Sequence, residues 1–423
     1  MPSEYLQFFR LLPLLLTFLV YPLVAGVALR AVRGAWRWRV LAVANLGLLP
    51  ALCALAASAG VRRAQLKEFL AAAAIPLALY VVSVLVSRLL LGKWGRRGSW
   101  LVWVPFAFPL LVLLVVRQMP ASWAAYYPGH HAAEIFLGIS YIAFRLSHLS
   151  LEYRNGVVEL PTWSQYLAFA FFPPTLTVGP ISPFSTFLHS VNQPDRTATP
   201  VGRSCARVIQ GMAKYLFLAN LANQLAYQGL LFDGHPHHWI DLPVAAYCYL
   251  LYLYLNFSGW CDVAIGTSGL MGIRISENFA QPFQARNVQD WWNRWHITLG
   301  TYLRDVVFSP LSKALVMRFG PKSAPHAIAA SIMTVFLTMG VWHGLTWNYI
   351  LYGFSQGVAV VAVHYYTQWL KKRLGREGFQ RYEANPYIRW TGVVLTVSYA
   401  AGTLMLFANS MEGLRRIWSV IDM

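Results

Sequence analysis

The most informative shortage in this sequence of 423 residues is charge, and above all acidic charge. Only 12% of the side chains are charged, whereas 57% are hydrophobic, and Asp and Glu number 16 against 34 Lys and Arg. A soluble domain carries about 25% charged residues. Because the deficit extends along the whole chain, it excludes an ordinary soluble globular protein and indicates one that is embedded in a membrane.

The excess of basic residues gives a net charge of +18, which in a soluble protein would suggest a nucleic-acid partner. Here the basic side chains cluster in short segments between apolar runs, at Arg30 to Arg39, Arg62 to Lys67, Lys93 to Arg97 and Lys371 to Arg376. Such clusters are typical of loops that face the cytoplasm and its anionic lipids. We therefore expect membrane lipids, and no nucleic acid, to meet this charge.

Several sequence motifs are also missing. The four cysteines have no CxxC spacing, and the chain has no GxSxG nucleophile motif, no phosphate-binding loop and no dinucleotide fingerprint. The run His235-Pro236-His237-His238 lacks a supporting carboxylate or cysteine cluster, so we predict no metal site. Without a serine or cysteine nucleophile, direct transfer assisted by histidine is favoured over a covalent intermediate.

Apolar runs of spanning length are abundant instead. A membrane helix needs about 20 apolar residues, and runs of this kind recur from the N-terminus, where Leu11 to Leu29 is predicted to be an uncleaved helix, to Trp390–Ala408. Some runs are shorter, including Leu242–Asn256 and Val263–Met271. The pattern predicts an all-α polytopic membrane protein with about 10–12 transmembrane helices and short interfacial or re-entrant helices. No linker divides it, so we expect a single domain over 1–423.

Two stretches interrupt the apolar pattern. Residues 171–181 contain three prolines in an apolar setting, which predicts irregular backbone buried in protein or lining a cavity. The stretch from Glu277 to Asp305 is too polar to span and too aromatic for an ordinary loop, so it is predicted to form short helices at the interface or dipping inward. Within it, Asp290 and Arg294 have the spacing of a helical ion pair, and His296 is expected to share a face with Trp292 and Asn293.

Two histidines in these surroundings are the candidate catalytic residues. His296 follows the tryptophans of the polar stretch, and His343 follows Trp342 inside a long apolar run. An ionisable side chain in a membrane is a functional-site hypothesis by default, and histidine titrates near neutral pH. For each, the alternative is a structural histidine held by hydrogen bonds. We predict His343 as general base and His296 as its support, with His296, Asn293 or an indole N–H stabilising the oxyanion.

A series of ordered motifs then resembles the membrane-bound O-acyltransferase (MBOAT) family. The residues that carry the resemblance are Gly138 to Tyr141, Phe171 to Ile181, Asn256 to Gly266, Met271 to Phe283, Trp292 to Asp305 and Met339 to Trp347. The resemblance covers roughly 138–364, which would be the catalytic core, with N-terminal helices over 1–131 and C-terminal helices over 365–423. It implies helices around a central funnel or tunnel, and conserved histidines at His343 and His296.

Within the bacterial branch, the chain resembles the D-alanyl transferase of teichoic acid modification more than the alginate O-acetylases. It departs from the former at Ser182 to Ser185, where basic residues are usual, so the acyl group stays open between D-alanyl and acetyl. The resemblance implies no bound cofactor and a cytoplasmic thioester donor, on a carrier-protein phosphopantetheine or coenzyme A. It further implies a hydroxyl acceptor on a cell-envelope polymer or an extracytoplasmic partner acyltransferase, and a location in the bacterial cytoplasmic (inner) membrane.

Substrate contacts are expected from the residues around the two histidines. These are the polar and aromatic side chains of the motifs just named, namely Asn293, Arg294, Trp292, Trp295, Arg304, Asp305 and Trp342. The arginines would position the short helices or contact a phosphate-bearing donor. A transporter or flippase, or a non-catalytic scaffold of a polysaccharide export complex, would share the helix content, but paired interrupted helices in two related halves are not evident.

Overall fold

A computed structural model describes residues 20–60, 66–96, 100–117, 138–176, 178–193, 200–232 and 235–422. The chain divides into two compact units, one formed by Met1–Gly211 and Trp260–Ser276 and the other by Met212–Gly259 and Glu277–Met423. Most described residues are helical, and the only strands among them are a two-residue parallel pair, β1 (His237–His238) and β2 (Ile421–Asp422). The predicted all-α class is confirmed, while the predicted single domain stays a prediction.

The helices that begin the chain lie in the first unit. They are α1 (Val20–Ala31), α2 (Ala35–Gly60), α3 (Leu66–Trp94), α4 (Val104–Arg117), α5 (Ile139–Arg154), α6 (Trp163–Ala170), α7 (Phe184–Asn192) and all but the last two residues of α8 (Val201–Ala213). The first nine residues of the predicted helix from Leu11 to Leu29 lie outside the described residues, and the remainder belongs to α1.

The second unit contains the later helices. They are α9 (Ala219–Gln224), the first part of α10 (Asp241–Leu270), α11 (Val288–Arg294), α12 (Ile297–Leu303), α13 (Ser309–Phe319), α14 (Ala324–His343), α15 (Trp347–Ala384), α16 (Pro386–Ala408) and α17 (Met411–Val420). Three π-helical turns join them, at Lys214–Leu218, Tyr227–Leu231 and Arg304–Phe308. The short α11 and α12 confirm the prediction for the stretch from Glu277 to Asp305.

Three helices of the described part of the chain are long and apolar enough to cross a membrane: Leu77–Trp94, Pro321–His343 and Pro386–Ala408. Shorter apolar helices occur at Val20–Ala31 and Trp100–Val116. Together with the composition, these helices make the protein an integral membrane protein. The predicted number of ten to twelve crossings stays a prediction.

Helix α10 corrects one sequence expectation. The runs Leu242–Asn256 and Val263–Met271 were expected to be separate, but all of their residues except Met271 belong to one continuous helix of 30 residues. The polar residues between them do not break the helix because their side chains find partners. In the first unit, Asp262 accepts from Arg207 at 3.0 Å and the Trp260 indole donates to the carbonyl of Val178 at 2.8 Å.

The proline-rich stretch of the first unit is irregular, as predicted. Helix α6 ends at Ala170, a short 3₁₀ turn covers Pro173–Thr175, and α7 begins only at Phe184. The buried Arg145 of α5 donates to the carbonyls of Phe169, Ala170 and Thr175 and to the Thr175 hydroxyl. These bonds satisfy backbone groups that the interrupted helix leaves open.

In the second unit, α14 and α15 cross at glycines. A Cβ atom added at Gly353 would lie 2.4 Å from the carbonyl oxygen of Phe336 and 3.2 Å from the Cα atom of Gly340. Such contact between backbones is typical of membrane helices packed through small residues. Because Gly340 lies three residues before the end of α14, this crossing fixes the position of His343.

Candidate active site

The segment that carries His296 is held by a network around Asp290. The side chain of Asn287 caps α11 by accepting from the amide of Asp290 at 2.8 Å. The Asp290 carboxylate accepts from Arg294 Nε at 2.8 Å and from the amide of Arg286 at 3.0 Å, and Arg294 also donates to the carbonyl of Ala280 at 3.3 Å. The predicted ion pair is confirmed, and it ties α11 to the chain that precedes it.

Trp295 and Trp292 pack into different parts of the second unit. Trp295 is buried, with its ring stacked on Trp291 at 5.3 Å and edge-on to Phe279 at 5.1 Å. The indole of Trp292 donates to Gln356 of α15 at 3.2 Å, and the buried Gln356 donates to Thr403 of α16 at 2.9 Å. These contacts give both tryptophans structural partners, and their predicted substrate contacts stay predictions.

His296 does not share a helical face with Trp292 and Asn293, which corrects the sequence expectation. It lies between α11 and α12 in the left-handed region, with φ 48° and ψ 49°. The non-helical turn is stabilised by antiparallel pairing with the preceding segment, since Ala280 N–H donates to the carbonyl of Arg294 and Ile297 N–H donates to that of Asn278, both at 3.0 Å. A non-glycine residue in this region is uncommon and is found preferentially at functional sites.

The imidazole of His296 is buried and has two defined neighbours. Its Nδ1 lies 3.1 Å from Asn278 Oδ1, and the ring meets Phe257 edge-on at 4.7 Å between centroids. Burial lowers the pKa of His296 far below its usual value, and the nearby His343 lowers it further. The ring is therefore neutral at physiological pH. His296 lies outside the three helices that are long and apolar enough to cross a membrane.

His343 is the last residue of α14, and its side chain is half-buried among aromatic rings. Its ring lies 4.5 Å from that of Trp342, 4.8 Å edge-on from that of Phe407 and 6.0 Å from that of Tyr349. The charge of His343 acts on His296. The two predicted histidines therefore lie within electrostatic range of each other, although they are 47 positions apart in the sequence.

Both imidazoles, the half-buried one at the end of an apolar helix and the buried neutral one, lie within a stretch of the chain that matches a protein family. The profile of the membrane-bound O-acyltransferase family matches residues 50–406. The chain belongs to the membrane-bound O-acyltransferase family.

Curated relatives carry the same type of activity in their names. A teichoic acid D-alanyltransferase from Streptococcus thermophilus is 28% identical over 331 residues, 75% of this chain and 78% of that protein. One from Bacillus subtilis is 30% identical over 292 residues, 67% of this chain and 71% of that protein. A probable alginate O-acetylase AlgI from Pseudomonas aeruginosa is 30% identical over 223 residues, 52% of this chain and 41% of that protein. This MBOAT protein is thus an acyltransferase.

The remaining predicted residues of this acyltransferase lie close to one of the histidines in the sequence. Asn293 is exposed on α11, and Trp342 adjoins His343. Arg304 and Asp305 begin the π-helical turn after α12, where Arg304 is exposed and its Nε lies 3.2 Å from the Asp305 carboxylate. Their predicted contacts with substrates stay predictions, as does the donor.

The part of the chain that the structure describes has no group of three or more His, Cys, Asp or Glu side chains that could hold a metal ion. In the histidine-rich run, His237 Nδ1 lies 3.5 Å from the Asp241 carboxylate, which also accepts from the amide of His238 at 3.1 Å. These contacts hold the start of α10.

Sequence reasoning did not single out Asn278, Gln356 or Phe407, which contact His296, Trp292 and His343 respectively. Asn278 belongs to one of the family motifs, so its position in that motif was the available signal. Gln356 could have been noticed as an amide within an otherwise apolar helical run. Phe407 carries no signal of its own, since it is one aromatic residue among many.

Proposed function

We propose that this acyltransferase takes an acyl group from a thioester on the cytoplasmic side of the membrane and passes it to a hydroxyl of a cell-envelope polymer or an intermediate acceptor. The observation that carries the proposal is the pair of histidines in the second unit. His343 is half-buried at the end of a helix long and apolar enough to span, and His296 is buried, neutral and within electrostatic range of His343.

In the proposed reaction His343 is the general base. It removes the proton of the acceptor hydroxyl while the oxygen attacks the thioester carbonyl carbon. The tetrahedral intermediate then collapses, the carbon–sulfur bond breaks, and the leaving thiolate recovers the proton from His343. A positioned base contributes about 10²–10⁴-fold to such a step, and the remainder must come from alignment of the two substrates and stabilisation of the oxyanion.

The acyl group is D-alanyl or acetyl, and D-alanyl is the first to test. The D-alanyltransferases from Streptococcus thermophilus and Bacillus subtilis match two thirds or more of both chains, whereas the alginate O-acetylase from Pseudomonas aeruginosa matches 41% of its own length. The donor would be a thioester on a carrier-protein phosphopantetheine or on coenzyme A. Both are acidic, and the net charge of +18 suits an acidic partner. We place the protein in a bacterial inner membrane.

The test is acyl transfer by purified protein reconstituted in liposomes. D-Alanyl and acetyl thioesters, each on a carrier protein and on coenzyme A, are supplied with labelled acyl groups, and thiol release and acceptor labelling are followed. His343→Ala is expected to reduce transfer by about 10²–10⁴-fold, the contribution of a general base, without loss of expression or thermal stability.

His364→Ala is the matched control, because His364 lies on α15 and its imidazole bonds Gln368 one turn further along the same helix. It is expected to transfer at the wild-type rate. Near-normal transfer by His343→Ala would refute the role of His343 as base. If wild-type protein accepts no thioester donor at all, the acyl-transfer proposal fails and the transporter interpretation gains support.

A further inference from the structure

The hydrogen bonds at Asn278 identify its amide oxygen without ambiguity. The backbone N–H of Thr298 donates to Asn278 Oδ1 at 3.2 Å, and the Thr298 hydroxyl donates to the same atom at 2.9 Å. A backbone amide can only donate, so the atom that receives it must be the carbonyl oxygen of the asparagine and not its nitrogen.

The same oxygen determines which nitrogen of His296 carries the proton. His296 Nδ1 lies 3.1 Å from Asn278 Oδ1, and since this oxygen can only accept, Nδ1 must donate. The ring is neutral because it is buried and because the nearby His343 disfavours a second charge. A neutral imidazole has one N–H, so Nε2 bears a lone pair and acts as an acceptor.

Asn278 is itself held firmly enough to impose this choice. It is 1% exposed, and its carbonyl accepts from the amide of Ile297 at 3.0 Å, so its backbone and its side chain both bind the turn that contains His296. The edge-on contact with Phe257 restricts rotation of the imidazole. Of the described groups around His296, His343 is the titratable one whose charge acts on it.

We propose that Asn278 is a positioning residue that holds His296 as the Nδ1–H tautomer, so that Nε2 accepts a hydrogen bond from a substrate N–H or O–H group other than the attacking hydroxyl, whose single proton goes to His343. This bond would align the substrate for attack. This inference rests on the proposed acyl transfer. It also removes His296 from the groups expected to stabilise the oxyanion, because Nε2 in this tautomer has no proton to donate. Asn293 or an indole N–H is left for that task.

The tautomer is read directly from protein labelled with ¹⁵N-histidine, in which protonated and unprotonated ring nitrogens have well-separated chemical shifts. The His296 signals are assigned by their loss in His296→Gln. Wild-type protein is expected to show Nδ1–H and bare Nε2. Asn278→Leu, which removes the acceptor at similar size, is expected to shift the ring toward the other tautomer and to reduce transfer at least tenfold. In hydrolytic triads an incorrect tautomer costs about 10⁴-fold in turnover.

Asn278→Asp separates positioning from packing. The carboxylate still accepts from Nδ1–H, but its negative charge favours the imidazolium and raises the pKa of His296. Because only the neutral ring has a lone pair on Nε2, activity is expected to be lost as the pH falls through the raised pKa and to recover at higher pH. Wild-type activity is expected to show no such limb from His296. Asn409→Leu is the control, since Asn409 is another buried asparagine, follows the last residue of α16 and donates back to the carbonyl of Met405 in that helix.

A wild-type tautomer in Asn278→Leu would overturn the inference, as would Asn278→Asp with an unchanged pH profile. Equal losses of transfer in Asn278→Leu and Asn409→Leu would also overturn it, because they would show a general effect of removing a buried amide. The NMR measurement needs no substrate. Failure of acyl transfer with every donor would therefore refute the proposed function while the tautomer assignment was still decided by the spectra.

Discussion

Two irregular segments of this membrane protein, one in each unit, have backbone groups that no helix satisfies. In one segment a buried side chain donates hydrogen bonds to them, and in the other a buried side chain accepts. In the proline-rich stretch, Arg145 donates to open carbonyls. In the segment before α12, Asn278 accepts from a backbone amide, a hydroxyl and an imidazole. Unsatisfied backbone groups are costly in an apolar environment, so each segment needs such a residue.

The difference between them lies in what the buried polar residue binds. The described bonds of Arg145 all go to a single stretch of chain, Phe169 to Thr175, so they hold its backbone conformation. One of the bonds of Asn278 goes to a titratable side chain, so the same kind of contact also fixes a proton. Substitution of a buried polar residue that bonds only the backbone should lower stability. Substitution of one that also bonds an imidazole should in addition lower the rate of acyl transfer.

The largest effect on stability is expected from Arg145→Met. The change removes the side-chain donor from the carbonyls of Ala170 and Thr175 and one of two donors from that of Phe169, which also accepts from the amide of Phe172. Each unsatisfied buried group costs about 1–3 kcal/mol. Thermal unfolding in detergent, followed by tryptophan fluorescence, should show a clear fall in melting temperature or loss of folded protein.

Arg154→Met is the control for Arg145→Met. Arg154 lies on the same helix but is exposed, with its guanidinium 3.9 Å above the ring of Trp103. It should change the melting temperature much less. Equal effects of the two substitutions would show that the proline-rich stretch does not depend on Arg145. The proposed contrast, in which Arg145 stabilises the fold and Asn278 supports catalysis, would then be wrong for Arg145.

An intermediate effect is expected from Gly353→Ala. The new methyl group would meet the carbonyl of Phe336 at 2.4 Å and push α14 and α15 apart, and overpacking of this kind costs about 1–3 kcal/mol. Because α14 carries His343, both melting temperature and acyl transfer should fall. Gly402→Ala in α16 is the matched control, since nothing lies within 4 Å of its added Cβ. Wild-type transfer by Gly353→Ala would argue that the crossing does not position His343.

The sequence predicted the class of fold and the two histidines for identifiable reasons. Scarce charge and repeated apolar runs indicate membrane helices whatever their packing. The prolines of the first irregular stretch and the polar residues before Asp305 mark the two places where helices had to break. His296 and His343 stood out because ionisable side chains are rare in such surroundings.

The rest depended on contacts that no local pattern encodes. The left-handed turn at His296 and its bond to Asn278 join residues 18 positions apart through backbone pairing, so helical periodicity placed His296 on the wrong face. The continuity of α10 was also missed, because Asp262 is tolerated only through its bond to Arg207, 55 positions away. Hydropathy registers the charge but not the partner that compensates it.

The smallest effect on stability is expected from Arg294→Gln. This residue lies in the second of the two irregular segments, close in sequence to His296. Arg294 was predicted to position the short helices or to contact the donor. Its ion pair with Asp290 supports the first role, and with side chains 30% and 18% exposed such a pair is worth about 1 kcal/mol or less. A small fall in melting temperature is expected, with an unchanged Michaelis constant for the thioester donor.

Arg304→Gln provides the contrast, because the side chain of Arg304 is 60% exposed and therefore accessible to an acidic donor. Attraction between exposed charges is screened beyond about 8–10 Å at physiological salt, so a donor contact should weaken as salt is added. We expect Arg304→Gln to raise the Michaelis constant at low salt and to flatten its dependence on ionic strength. If Arg294→Gln has that effect and Arg304→Gln does not, Arg294 is the donor contact, and its bond to Asp290 is broken when substrate binds.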